Sequence, residues 1–476
     1  MKALGRMAAL LAAVSTPLSA QVDRTSPPSL GPPPALRLPP VQTAVLSNGL
    51  RIAVVEMHEV PVVDVTLVVD AGSVRDPADL PGLATFTAGM LDEGAGRRDA
   101  LEIADEVAYL GAELTTGAGY DVTTVTLHVP ARRLEAALDL LADVMLRPTF
   151  PDSEITRQRE LRRAQMLQLR DQPVAMAGVA FPAIVFGQAH PYGRPLNGTD
   201  SSTSLLNRDR VRQFYTAFYR PNATRLLIVG DVTLAVARRL VEQRFGAWAR
   251  GAVSPVAPVQ PPAPVGRAFY LVDKPGAAQS VIRIGHVGVP RSTPDHFVLE
   301  VLNTILGGSF TSRLNQNLRE THGYTYGAGS SFARRRMAGP FQASASVVTA
   351  KTDSSVIEFM KELRRIRDEP VPVAEVDKAK AYLILGLPSN FETTAGAAFQ
   401  YRDLLIYDLP LEYYTSYVAG INRVTAADVQ RAARTYIDPD HFDILVVGDR
   451  SQIEAGIEAL REGPIVLRDL WGNPIP

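Results

Sequence analysis

The chain contains no cysteine. That excludes a disulfide framework and a lipid-anchoring Cys behind an export signal. It also lacks a surplus of either charge, with a formal net charge of −1. No basic excess points to nucleic acid, and no acidic tail points to a disordered segment. Past the N-terminal region there is no apolar run long enough to cross a bilayer. What remains is a chain of 476 residues, too long for one hydrophobic core and long enough for two.

The N-terminus has the pattern of a secretory signal. Lys2 and Arg6 supply positive charge, Met7 to Val14 form a short apolar run, and Leu18-Ser19-Ala20 ends in a small residue. Leu18 is not the small residue usual three positions before the cleavage point. Residues 1–20 are therefore predicted to be a signal peptide. The mature protein is expected to be soluble, in a periplasm or outside the cell. The stretch "PPSLGPPPALRLPP" follows, and its prolines favour extended structure, so residues 21–42 are predicted to be a tether. A second proline-rich stretch, "VSPVAPVQPPAPVG" at 253–266, divides the rest into halves, 43–252 and 267–476.

The halves repeat each other. "VRQFYTAFYRPNATRLLIVGDV" from Val211 aligns without a gap on "VQRAARTYIDPDHFDILVVGDR" from Val429, pairing Pro221 with Pro439 and Gly230 with Gly448. Each copy reads as a helix, a proline turn, a buried strand and a Gly-Asp turn. Both halves open with strands, "LRIAVVEM" and "AFYLVDK", and continue with helical periodicity, without regular βαβ alternation. The predicted fold class is α+β: two homologous halves, each a mostly antiparallel sheet backed by helices, forming a clam-shell around a cleft.

The stretch "GLATFTAGMLDEG", Gly82 to Gly94, reads as a buried helix. Thr85, Ala88 and Gly89 share one face at spacings of three and four. Histidine, glutamate and histidine at those spacings would bind and use zinc. The seven histidines, His58, His128, His190, His286, His296, His322 and His441, include no two that are three to five residues apart. Asp92 and Glu93, one turn on, make a poor zinc site without histidine. By itself the stretch is a core helix.

In its segments the chain resembles the pitrilysin/insulinase family of zinc peptidases, whose signature is H-x-x-E-H. Gly82, Leu83, Ala84, Phe86, Met90, Leu91 and Gly94 match that family's helix, "HPYGRPLNGTDSS" matches one of its loops, and "FYRPNATRLLIVGDV" matches the end of its first half. The resemblance places the two ligand histidines on Thr85 and Gly89 and the catalytic glutamate on Ala88. The third ligand falls on Gln165, with its partner position on Gln158. Such residues supply neither a zinc ligand set nor a base for water, so no metal is expected in this chain. His190 is expected to be a structural loop histidine.

The second half carries "LGGSFTSRLNQNLRETHGYTYGAGSSF", Leu306 to Phe332. Gly307 and Gly308 are not a phosphate loop, since no G-K-[ST] follows. On spacing alone Arg319 reads as a surface ion pair with Glu320 or another carboxylate, and Tyr326 as a core tyrosine. The resemblance assigns them instead to an Arg–Tyr pair that holds the substrate backbone and stabilises a tetrahedral intermediate. It also implies a role, because some bacterial relatives are heterodimers of an H-x-x-E-H subunit and an Arg–Tyr subunit. This chain is expected to be the non-catalytic, substrate-binding subunit, with zinc in a homologous partner and an extended peptide as substrate. A peptide-binding or scaffold protein without proteolysis, and a stand-alone peptidase with an unrecognised site, are the alternatives.

Overall fold

The N-terminal half is built on a six-stranded sheet. Its strands are β1 (Gln42–Val45), β2 (Arg51–Glu56), β3 (Val62–Val69), β6 (Glu113–Ala118), β7 (Thr123–Pro130) and β8 (Thr224–Gly230), in the order β1-β2-β8-β3-β7-β6. A small hairpin, β4 (Gly94–Ala95) and β5 (Arg98–Asp99), lies apart from it. The C-terminal half repeats the plan with β9 (Ala268–Asp273), β10 (Gln279–Val287), β11 (Thr325–Phe332), β12 (Pro340–Val348), β13 (Asp443–Gly448) and β14 (Ile465–Arg468), in the order β11-β12-β10-β13-β9-β14. These features come from a computed structural model that describes residues 36–263 and 266–475. The expected signal peptide and most of the expected tether lie outside the described residues.

The two sheets correspond strand for strand. β2 pairs parallel with β8 as β9 does with β13, and the other pairs of each central set are antiparallel. β1 and β14 take the same outer position from opposite ends of the chain, so β1 runs antiparallel to β2 while β14 runs parallel to β9. The repeated segments fold alike. Helices Arg208–Phe218 and Ala426–Tyr436 are started by the side chains of Asn207 and Thr425. Short turns led by Pro221 and Pro439 then deliver the chain into β8 and β13. Gly230 closes β8 at φ +136°, where a Cβ would stand 2.2 Å from the Val62 carbonyl oxygen. β1 begins at Gln42, one residue inside the segment expected to be tether.

β3 reads "VVDVTLVV" and is buried from Val63 to Val69, as a strand covered on both faces should be. One face packs on helices of its own half. The other receives a helix from the opposite half, Thr394–Ile406, where Ile406 meets Val68 and Val122. The exchange is reciprocal. The N-terminal half sends its Pro173–Phe186 helix onto β10 and β13, and Ala177, Phe181 and Val185 pack there with Val281, Leu445 and Val447. The halves are thus joined by shared core. The proline-rich connector is tied back at two carbonyls: Ser254 accepts from Arg75 at 2.9 Å, and Val259 lies 3.1 Å from His190 Nε2.

Candidate functional site

The suspected helix spans Leu83–Gly89, shorter than the stretch that predicted it. After Gly89 the hydrogen bonds tighten, with Met90 bonded to Thr87 and Leu91 to Ala88, and Asp92 and Glu93 turn into β4. Its N-terminus has no side-chain cap of the usual kind. Buried Asp76 does that work, its two carboxylate oxygens accepting from the N–H groups of Gly82 at 2.9 Å and Ala84 at 2.8 Å. Gly82 sits at φ +91°, and a Cβ there would meet the Asn197 carbonyl carbon at 2.7 Å. Gly198, at φ +76°, would meet the Pro81 oxygen at 2.4 Å. The "HPYGRPLNG" loop therefore docks on the helix start through glycines that only a missing side chain permits.

None of the positions on the face offers a metal ligand set. Thr85 Oγ1 donates to the carbonyls of Gly82 at 3.0 Å and Leu196 at 3.1 Å. Ala88 is fully buried. A Cβ on Gly89 would meet nothing within 4 Å, so that position faces open space. Gln165 is exposed on the Asp152–Leu169 helix, and Gln158 is engaged with Glu93, which also pairs with Arg157. Asp92 accepts from Thr116 at 3.4 Å, and burial pushes its carboxyl up. Between the glutamines, Arg162 donates to the Gly82 carbonyl at 2.9 Å and lies 5.0 Å from the Phe86 ring centre. A guanidinium this close opposes a cation. Among the described residues no three His, Asp or Glu side chains converge as a metal site. The residues present do not fit zinc. His190 is buried and structural: its Nδ1 accepts from the Tyr192 N–H at 3.0 Å and its ring stacks on Phe186.

On the other half, β11 is an edge strand, with an irregularity between Thr325 and Ala328. Tyr326 stands at that bulge, 89% exposed, and is not a core tyrosine. Arg319 lies 3.5 Å from Glu320, the ion pair that its spacing suggests. It also sits 4.4 Å over the ring of Phe310, which is itself 63% exposed. Phe310 and Tyr326 line one shallow cavity of about 490 Å³, so Phe310 links the two predicted residues. The sequence offered one signal for Phe310, an aromatic residue inside a glycine-rich loop. Arg162 had none, because its neighbours come from distant segments.

A family model described as insulinase, peptidase family M16, matches residues 51–200, and a model described as the peptidase M16 inactive domain matches 205–383. The chain belongs to the M16 peptidase family, the pitrilysin/insulinase group. An uncharacterized zinc protease of Mycobacterium leprae (strain TN) is 28% identical over 365 residues, 75% of this chain and 81% of that protein. Another, from Bacillus subtilis (strain 168), is 25% identical over 280 residues, 59% of this chain and 67% of that one. The crystal structure of a peptidase M16 inactive domain from Pseudomonas fluorescens superposes with a TM-score of 0.80 at 26% identity, covering 86% of this chain and 98% of that one. A protease from Helicobacter pylori shares the fold, with a TM-score of 0.80 at 20% identity over 86% of this chain and 100% of that one. The chain is thus an M16-type protein whose helix carries none of the H-x-x-E-H side chains. No helix among the described residues is long and apolar enough to cross a membrane.

Proposed function

We propose that this chain is the exported, substrate-holding subunit of a heterodimeric zinc peptidase, paired with a homologue that carries H-x-x-E-H and the zinc. The observation that carries the reading is the Arg319–Phe310–Tyr326 group at a sheet edge, retained while the metal helix is blank. Arg319, steadied on the Phe310 ring, and Tyr326, free at the bulge, are both donors. Each can hold a peptide carbonyl, and each bond strengthens as negative charge grows on that oxygen. β6, paired with β7 alone among the strands, offers backbone groups along its outer edge to an extended peptide.

The test is co-purification with the H-x-x-E-H homologue, followed by peptide cleavage. Loss of one oxyanion donor costs about 10²–10³ in kcat. Arg319→Ala or Tyr326→Phe is expected to lower cleavage on that scale while the complex still assembles. Arg319→Lys should rescue poorly, because an ammonium lacks the planar fork. Full activity of an assembled Arg319→Ala, Tyr326→Phe complex would leave the scaffold reading in its place.

A further inference from the structure

A second cavity, of about 340 Å³, lies between the halves, where the Asp152–Leu169 and Pro173–Phe186 helices face the C-terminal sheet. Its charge is one-sided. Arg162 from the first half, Arg283 from β10 and Arg335 from the segment between β11 and β12 all line it, and no Asp or Glu does. Among the described residues none of these three guanidiniums forms an ion pair with a carboxylate. Asp76 acts on Arg162 electrostatically, but its oxygens are committed to the N–H groups of Gly82 and Ala84.

The donors are under-used as well. Each guanidinium carries five N–H groups. Arg283 gives one to Gln342 Oε1 at 3.3 Å, and its Nε is buried with no acceptor among the described residues. Arg335 Nε is likewise buried and unmatched, while its guanidinium lies 3.7 Å from the Tyr120 ring centre. Unpaired buried donors and unopposed like charges both cost free energy. A bound anion relieves both at once. Burial pulls Arg162 down to about 10 and lowers Arg283 too, so both guanidiniums are poorly solvated.

The remaining lining decides which anion fits. Leu169, Pro182 and Trp471 make apolar walls, and the exposed Gln165 and Asn197 mark the side open to solvent. The volume is near the lower end for small-molecule sites. A hydrated, fully polar ion leaves those walls unused, whereas an apolar residue bearing a carboxylate uses walls and forks together. We propose that this cavity binds the C-terminal residue of a peptide, its free carboxylate held by Arg283 and Arg335 and its apolar side chain on the Leu169 and Trp471 walls. Gln165, at the position of a missing metal ligand, would then stand at the entrance of an anion site. The proposal needs no partner subunit and stands or falls apart from the reading above.

Calorimetric titration of the isolated full-length mature chain tests it. The probes are acetyl-Ala-Ala-Phe as the free acid, the same peptide as its C-terminal amide, and inorganic phosphate. The free acid is expected to bind at least tenfold more tightly than the amide or phosphate. Arg283→Met and Arg335→Met should each weaken it tenfold or more. Should either variant misfold by near-UV circular dichroism, Arg283→Lys, which keeps the charge and loses the fork, should still bind the acid more weakly. Thermal melts of the unaltered protein should rise with the acid and not with the amide. Equal binding of acid and amide, no binding of the acid, or phosphate binding as tightly as the acid would each overturn the proposal.

Discussion

Arg336 of the C-terminal half donates to the Asp70 carboxylate of the N-terminal half at 2.7 Å. Arg225 of β8 reaches the same oxygen at 3.1 Å, and Arg336 also gives its Nε to the Ile406 carbonyl at 2.8 Å. This cluster stands at the edge of the contact where the Thr394–Ile406 helix covers β3 and β8. The side chains are partly exposed, so solvent trims their worth. Arg336→Ala is expected to lower stability by about 1–2 kcal/mol. A double-mutant cycle with Asp70→Ala, measured by denaturant unfolding, should return a coupling of about 0.5 kcal/mol or more. Strict additivity would show that the pair contributes nothing to joining the halves.

The metal helix gives a second prediction. Purified protein should hold no stoichiometric zinc, and Thr85→His, Ala88→Glu, Gly89→His should not create a zinc enzyme. Gln165 withholds a third ligand, and the Arg162 guanidinium lies against the same helix. Gly89 has room for a side chain, but Ala88 has none, being fully buried. A glutamate forced in there should cost about 1–3 kcal/mol from overpacking alone. Metal analysis and urea unfolding of the triple variant test both points. One tightly bound zinc at unchanged stability would refute them.

Much of this molecule was legible from its sequence, for reasons visible in particular residues. The match of Val211–Val232 with Val429–Arg450 revealed two like halves, because a cap, a proline turn and a buried strand are local signals. The helix at Thr85 was legible as a core helix and, with the family pattern beside it, as one stripped of ligands. Its end was misjudged because Asp92 and Glu93 continue a helical pattern while the chain turns into a hairpin. The exchange of helices between halves was not legible. "VAMAGVAFPAIVF" reads as buried in either half, and only tertiary structure says that its partners are Val281 and Leu445. Arg162, Arg283 and Arg335 come from three distant segments, so their convergence has no linear signature. The exposure of Tyr326 was not legible, since nothing local distinguishes a bulge tyrosine from a core one.

A third prediction concerns Phe310. If its ring holds the Arg319 guanidinium in place, then Phe310→Ala should reproduce part of the Arg319→Ala defect in the assembled complex. A stacked cation at an exposed site gains about 0.5–1 kcal/mol, so the loss in kcat/KM should be severalfold rather than hundredfold. Phe310→Tyr keeps a ring face and should restore most of it. Peptide cleavage by the three assembled variants checks the order. A Phe310→Ala complex as active as the unaltered one would show that Arg319 is positioned by other means.

The last prediction is a pH dependence set by Asp76. Asp76 is 6% exposed, and burial pushes its pKa up to about 7, against the pull of the Ala84 and Gly82 N–H groups. The folded value thus stands above the unfolded one, near 3.9. Between those values the folded chain holds a proton that the unfolded chain has released. This contribution is complete below about pH 4 and is lost as pH rises toward 7, at up to about 1.4 kcal/mol per pH unit. Asp76→Asn removes the titration and leaves one of the two N–H groups without its acceptor, a cost of about 1–3 kcal/mol at every pH. Unfolding by urea at several pH values from 4.5 to 8, for both proteins, isolates the effect in their difference. The advantage of the unaltered chain should be largest at the acid end and shrink as pH rises. A difference independent of pH would mean that Asp76 is ionised throughout, its charge held by the helix start it caps.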